Sequence, residues 1–182
     1  MKTIGILALQ GGYDAHAKVI ERLGGSVRLV RNPEELDSLD GLILPGGEST
    51  TMLKLLNRYD FFPALQDWFG KSRPTLGTCA GLILLAKYVL NPEQQSLGWL
   101  DATVTRNGWG RQLDSFEAFD DGGQYPLCFI RAPRIEEIGP SVEVIATLNG
   151  EPICLKQKHI FGATFHPELT DSTLLHRQIF DF

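Results

Sequence analysis

The sequence is poor in cysteine, has no long apolar run and shows no excess of positive charge, and each shortage narrows what the chain can be. Its 182 residues include three cysteines, Cys79, Cys128 and Cys154. They form no CxxC pair and have no histidine at metal-ligand spacing. A disulfide framework and a zinc site are therefore not expected, and a reducing cytoplasm is. No apolar stretch reaches the roughly 18 to 20 residues that span a bilayer, so no membrane partner is expected. The apolar run 4–9 near the start is too short for a signal sequence, has only Lys2 before it, and leads into Gln10-Gly11-Gly12, which is not a small-residue cleavage site. It reads as a first buried strand. Lys and Arg number 17 against 22 Asp and Glu, a net charge of −5, and they form no runs. Without a basic footprint, nucleic acid is not an expected partner. Repeats, low-complexity tracts and linkers are also missing, which makes 1–182 a single expected domain. No residue pattern asks for a metal or a cofactor.

What is present is a regular alternation. Residues 4–9 read as a strand buried on both faces, and 13–23 as a helix with Ala15, Val19, Ile20 and Leu23 on one side, closed by Gly24-Gly25. Strands are predicted at 27–30, 41–44 and 74–78, and helices at 33–39, 50–58, 63–69 and 80–86. That order predicts an α/β fold: a three-layer sandwich whose mostly parallel central sheet is flanked by helices, with binding sites at the carboxyl ends of strands. In the second half, strand-like segments crowd together at 128–131, 142–148, 152–158 and 160–165. Asn149-Gly150 between two of them signals a tight antiparallel hairpin, so the sheet is expected to be mixed.

Three segments carry chemistry. Gly77-Thr78-Cys79-Ala80-Gly81 lies where a strand turns into a helix and copies the nucleophile elbow with cysteine in place of serine. A following helix would favour thiolate and offer backbone N–H groups to an oxyanion. The competing reading of Cys79 is a small buried hydrophobe, the reading preferred for Cys128 and Cys154, which lie in apolar runs without an elbow. Of the four histidines, His16 and His176 fall on predicted helices and His159 on a strand edge, positions that favour packing or solvation. His166 emerges at a strand end and is followed by Pro167-Glu168. In an extended segment Glu168 would share its side and could orient the imidazole; the alternative is a strand-ending turn. Pro45-Gly46-Gly47-Glu48-Ser49-Thr50-Thr51 follows the third strand, and its glycines suit an oxyanion or carboxylate site. A phosphate loop would need the Walker lysine, which is missing, while a plain turn with a Ser/Thr helix cap stays open.

Taken together, these motifs resemble those of the class I, triad-type glutamine amidotransferases, and more narrowly the glutaminase subunits of pyridoxal 5'-phosphate synthase. The elbow and His166-Pro167-Glu168 mark the broad class. Segments 7–11, 45–51 and 77–82, Arg106-Asn107 with Gly110-Arg111-Gln112, and 115–117, 129–133 and 165–169 mark the narrower one. The resemblance implies that Cys79 attacks the side-chain amide of L-glutamine, that His166 protonates the leaving ammonia and then activates water, and that Glu168 orients His166. It places glutamine against Gly46, Gly47, Glu48, Arg106, Ile130 and Arg131; read without it, the two arginines are surface ion-pair residues. It puts Gln10, Gly11, Gly47 and Ala80 around an oxyanion site coupled to a partner. That partner would be a TIM-barrel synthase subunit, which takes the ammonia and on which glutaminase activity depends. Gly12-Tyr13-Asp14 and Gly108-Trp109 depart from the family pattern.

Overall fold

Short apolar runs punctuated by glycine become the strands of the central sheet. The computed structural model describes residues 1–108 and 115–182; Trp109, Gly110, Arg111 and Gln112 of the family motifs lie outside them. Strands β1 (Thr3–Leu7), β2 (Ser26–Val30), β3 (Gly41–Leu44) and β4 (Thr75–Thr78) form in the first half. Helices α1 (Tyr13–Arg22), α2 (Ser49–Arg58), α3 (Phe61–Gly70) and α4 (Ala80–Leu85) connect or follow them, and segment 33–36 is a 3-10 turn rather than a longer helix. The end of α1 shows how the sequence stops a helix. Gly24 takes φ +79, its N–H reaches the Glu21 carbonyl at 2.9 Å, and the Gly25 N–H reaches the Ile20 carbonyl at 3.0 Å. This glycine-closed double bond satisfies the last carbonyls and turns the chain into β2.

The second half adds β5 (Ala86–Leu90), β6 (Leu100–Thr105), β7 (Ser115–Phe119), β8 (Pro126–Ile130), β9 (Arg134–Ile138), β10 (Glu143–Leu148), β11 (Glu151–Gln157) and β12 (Ile160–Ala163), then α5 (Leu174–Phe180). Seven strands form the central sheet in the order β10-β11-β12-β4-β3-β1-β2. The run β12-β4-β3-β1-β2 is parallel, and β10-β11-β12 is antiparallel. The expected mixed, mostly parallel sheet flanked by helices is thus the observed one. Two further expectations need correction. Segment 128–131 does not join that sheet, because β8 pairs with β7 in a separate ribbon. The helix expected to reach residue 86 stops at Leu85, and residues 86–90 instead open a second sheet of order β5-β6-β9.

Two hydrophobic clusters hold the layers together. One gathers Leu42, Leu44, Met52, Leu56, Phe61, Trp68, Leu82 and Leu85, among others. The other includes Ile4, Ile6, Ile43, Leu76, Phe129, Phe165 and Phe180. Alternating residues of β3 serve opposite clusters, as the two faces of a buried strand require. Trp68 is fully enclosed, and its indole N–H donates to the Thr75 hydroxyl at 2.9 Å, so α3 is fixed to β4 by a satisfied polar contact as well as by apolar area. No helix among the described residues is long and apolar enough to cross a membrane.

Candidate active site

Sheet order explains where the motifs meet. In β12-β4-β3-β1 four parallel strands lie side by side, and their carboxyl ends deliver, in turn, His166, Cys79, Gly46–Glu48 and Gln10. Segments that are remote in sequence are therefore neighbours along one sheet edge.

Cys79 sits directly after β4 with φ 49 and ψ −103, a backbone conformation that non-glycine residues rarely adopt and that costs on the order of 1–3 kcal/mol. Neighbouring structure enforces it: the Cys79 N–H donates to the Ala163 carbonyl of β12 at 2.8 Å, and the Cys79 carbonyl accepts from the Ile83 N–H at 3.1 Å. Gly81 must be glycine for this turn to close, since a β-carbon there would run into the Leu44 carbonyl of β3. The helix beyond, α4, has only six residues. Its dipole is smaller than that of a longer helix.

His166 and Glu168 meet in a different way from the extended segment expected of them. The strand ends at Ala163, and residues 167–169 form a 3-10 turn that folds the carboxylate back. Glu168 Oε1 lies 2.7 Å from His166 Nδ1, which leaves Nε2 directed toward the thiol. Burial works against a charge on His166, but hydrogen bonds to Cys79 and Glu168 outweigh it and raise the imidazole pKa. Burial would likewise push the Glu168 carboxyl up. The facing ring of His16, followed by the hydrogen bond and charge of His166, instead holds it well below the usual carboxylate range.

A cavity of about 370 Å³ opens over this group, lined by Gln10, Gly46, Gly47, Glu48, Cys79, Arg106, Ile130, Arg131 and His166, among others. Its size and mixed lining suit a small polar molecule. Arg106 stands 3.4 Å from Glu48 Oε1. The Cys79 sulfur lies 4.0 Å from the Ile130 carbonyl, and Arg131 takes φ 43 just beyond β8. The loop after β1 and the loop after β3 are tied twice, by the Gly12 N–H to the Gly46 carbonyl at 2.9 Å and by the Glu48 N–H to Gln10 Oε1 at 2.8 Å. Ser49 opens α2 without a side-chain cap, so the loop is not a Ser/Thr-capped turn. Gly11 packs against the Gly46 carbonyl rather than facing the cavity, and Ala80 is buried behind Cys79. Cys154 is fully buried and its thiol is pushed up to about 12 by burial, as befits a core residue, whereas Cys128 is only partly buried on β8. Among the described residues no group of three or more His, Cys, Asp or Glu could hold a metal ion.

His16 is packed on a helix, one of the two outcomes its position favoured, but its contact with Glu168 was not foreseen. It is fully buried, with Nε2 3.4 Å from Glu168 Oε2 and 3.1 Å from the Thr78 hydroxyl, and its Nδ1 is 2.9 Å from His176 Nε2. A signal existed: His16 precedes Val19 and Ile20 by three and four positions, on the face of α1 that meets the core.

An elbow cysteine, an imidazole oriented by a carboxylate and a glycine-lined cavity, all at the carboxyl edge of a mixed, mostly parallel sheet, define the architecture of a class I glutamine amidotransferase. Residues 6–181 match the model of the SNO glutamine amidotransferase family, and the chain belongs to that family. It is 50% identical over 177 residues to a protein of Koribacter versatilis named pyridoxal 5'-phosphate synthase subunit PdxT, covering 95% of this chain and 91% of that one. A protein of the same name from Thermotoga maritima is 48% identical, over 96% of this chain and 95% of its own length. One from Bacillus licheniformis is 49% identical, over 94% and 89%. A crystal structure of a glutamine amidotransferase superposes with a TM-score of 0.92 at 42% identity, covering 98% of this chain and 97% of that one. PurLQS of Thermotoga maritima, at 16% identity and TM-score 0.66 over 100% and 97% of the two chains, shares the fold.

Proposed function

We propose that this chain is the glutaminase subunit of a pyridoxal 5'-phosphate synthase, hydrolysing L-glutamine to L-glutamate and ammonia, with residues 1–182 acting as one domain. The observation that carries the chemistry is the cavity in which Cys79 and His166 stand together, with Glu168 at 2.7 Å behind the imidazole. Kinship with the PdxT proteins carries the choice of substrate and partner.

In this reading the Cys79 thiolate attacks the side-chain carbonyl carbon of glutamine, and the charge passes to the carbonyl oxygen. Backbone N–H groups of Gly47 and Ala80 receive that oxyanion, with Gln10 and Gly11 holding the loop beneath it. The His166 imidazolium gives its proton to the amide nitrogen, the C–N bond breaks and ammonia leaves a γ-glutamyl thioester. Neutral His166 then takes a proton from water, hydroxide adds to the thioester, and glutamate departs as the thiolate re-forms. Glu168 keeps the ring in one tautomer and offsets its charge throughout. Arg106 and Arg131 bind the α-carboxylate, Glu48 the α-ammonium, and Gly46 and Ile130 complete the wall. Ammonia passes to a TIM-barrel synthase subunit bound in a hetero-oligomer.

The test is glutamine hydrolysis with and without the synthase subunit. Strong stimulation by the partner and abolition by Cys79→Ala, with the fold retained by circular dichroism, are the expected results. Activity surviving in Cys79→Ala would remove the nucleophile. A preference for peptides over glutamine would remove the substrate.

A further inference from the structure

Behind the triad the ionised carboxylate of Glu168 has an unresolved need. Oε1 is engaged by His166, while Oε2 is buried and has no donor at full hydrogen-bond geometry among the described residues. A buried carboxylate with one bare oxygen is costly, and an unheld one can swing away from the imidazole it is meant to orient. The polar group that faces this oxygen is His16 Nε2, at 3.4 Å. We propose that His16 is a positioning residue of the glutaminase: as a neutral imidazole protonated on Nε2, it donates to Glu168 Oε2 and locks the carboxylate toward His166. This inference rests on the triad reading above.

The surroundings fix the tautomer. If Nδ1 carried the proton, the Nε2 lone pair would face carboxylate oxygen across 3.4 Å, a repulsive contact. With the proton on Nε2, that N–H is shared between Glu168 Oε2 and the Thr78 hydroxyl, and Nδ1 accepts from the Nε2–H of His176 at 2.9 Å. The orphan nitrogen of this pair is then His176 Nδ1, a buried acceptor, and neither His16 nor His176 is left with an unpaired N–H. Neutrality follows from the setting as well. Burial lowers the pKa of His16, with Glu168 raising it and His166 lowering it. His176 is lowered by burial and then by His16, with Glu168 opposing and Arg22 adding to the effect. The chain of contacts His176, His16, Glu168, His166 and Cys79 thus runs from the interior to the cavity, and α1 and α5 both take part in aligning it.

Three substitutions separate this role from simple packing. In His16→Gln the amide nitrogen falls where Nε2 was and keeps a donor toward Glu168. In His16→Asn the amide falls where Nδ1 was and keeps a polar contact with His176 alone. His16→Leu keeps neither. Measured with the synthase subunit present, His16→Asn and His16→Leu should lose kcat by roughly tenfold to a hundredfold, the usual range for a residue that orients a functional group, with KM for glutamine unchanged. His16→Gln should recover most of that loss. Equal kcat in the Gln and Asn variants, or wild-type kcat in the Leu variant, would overturn the proposal. Nitrogen-15 NMR of the imidazoles in the unaltered chain decides the matter even where a variant fails to fold: a proton on His16 Nε2 supports the proposal and a bare Nε2 ends it. A wild-type enzyme that hydrolysed no glutamine would instead refute the functional reading, and the two failures are separate.

Discussion

At Gly46 one methyl group separates a histidine seated against Glu168 from a displaced one. A β-carbon there would fall on His166 Cε1 and 3.0 Å from Nδ1, so the ring would have to leave the plane that Glu168 sets. Gly46→Ala should therefore fold normally and lose about a hundredfold in kcat, the scale that a displacement of roughly an ångström costs an aligned site. Wild-type turnover in that variant would show that the ring tolerates the shift. Arg106 makes a different prediction. It is the less exposed partner of its pair with Glu48, 13% against 57%, and its guanidinium lines the cavity. Arg106→Ala should raise KM for glutamine about tenfold or more, as expected for the loss of a charge-assisted carboxylate contact, while kcat falls less. A fall in kcat at unchanged KM would assign Arg106 to the transition state instead.

Among the elements, the hairpin between β10 and β11 shows why local signals were the legible ones. Asn149 and Gly150 take φ 53 and 78, and Leu148 pairs with Glu151 directly across the two-residue loop. Both central residues with φ > 0 are the signature of the turn that Asn-Gly favours. A β-carbon at Gly150 would meet nothing within 4 Å, so Gly150→Ala should cost about 1 kcal/mol through backbone strain alone and leave glutamine turnover intact. A urea midpoint equal to that of the wild type would refute the strain. The strands β1 to β4 and the elbow were readable for the same reason: each is a short apolar run closed by its own glycine or turn. The sheet β5-β6-β9 was not. Its residues alternate, as Leu100, Ala102 and Val104 do with their half-buried neighbours, but β5 follows α4 without a break, and only tertiary pairing with β6 ends the helix at Leu85. Cys79 and His166 were visible as local motifs. His16 was not, because its chemistry depends on which strand end α1 crosses.

Over the whole molecule, buried titratable groups set a narrow range of pH for the folded state. His16, His159 and His176 are lowered by burial, His176 to about 3, so an unfolded chain takes up protons that the fold refuses once the pH drops below the ordinary histidine value of ~6.5. Glu168, held low, adds to that loss below ~4.3, the ordinary glutamate value. His166 acts with the opposite sign. Its raised pKa gives stability that is complete below ~6.5 and is lost as the pH climbs through the folded value. The buried thiol of Cys154, pushed to about 12, adds a further loss above the ordinary cysteine value of ~8.5. Urea midpoints measured from pH 4 to 10 should therefore peak near neutrality and fall on both sides, and a plateau reaching down to pH 5 would contradict the burial of neutral histidines. The order of the strands also governs when activity can begin. β12 is made late in the chain but lies inside the sheet between β11 and β4, and it holds the Cys79 N–H through Ala163. Until that strand is inserted, the elbow has no brace and His166 has no place, so in the mechanism proposed above a nascent or partly folded chain has no means of releasing ammonia. In that mechanism, completing the sheet is what switches glutamine hydrolysis on.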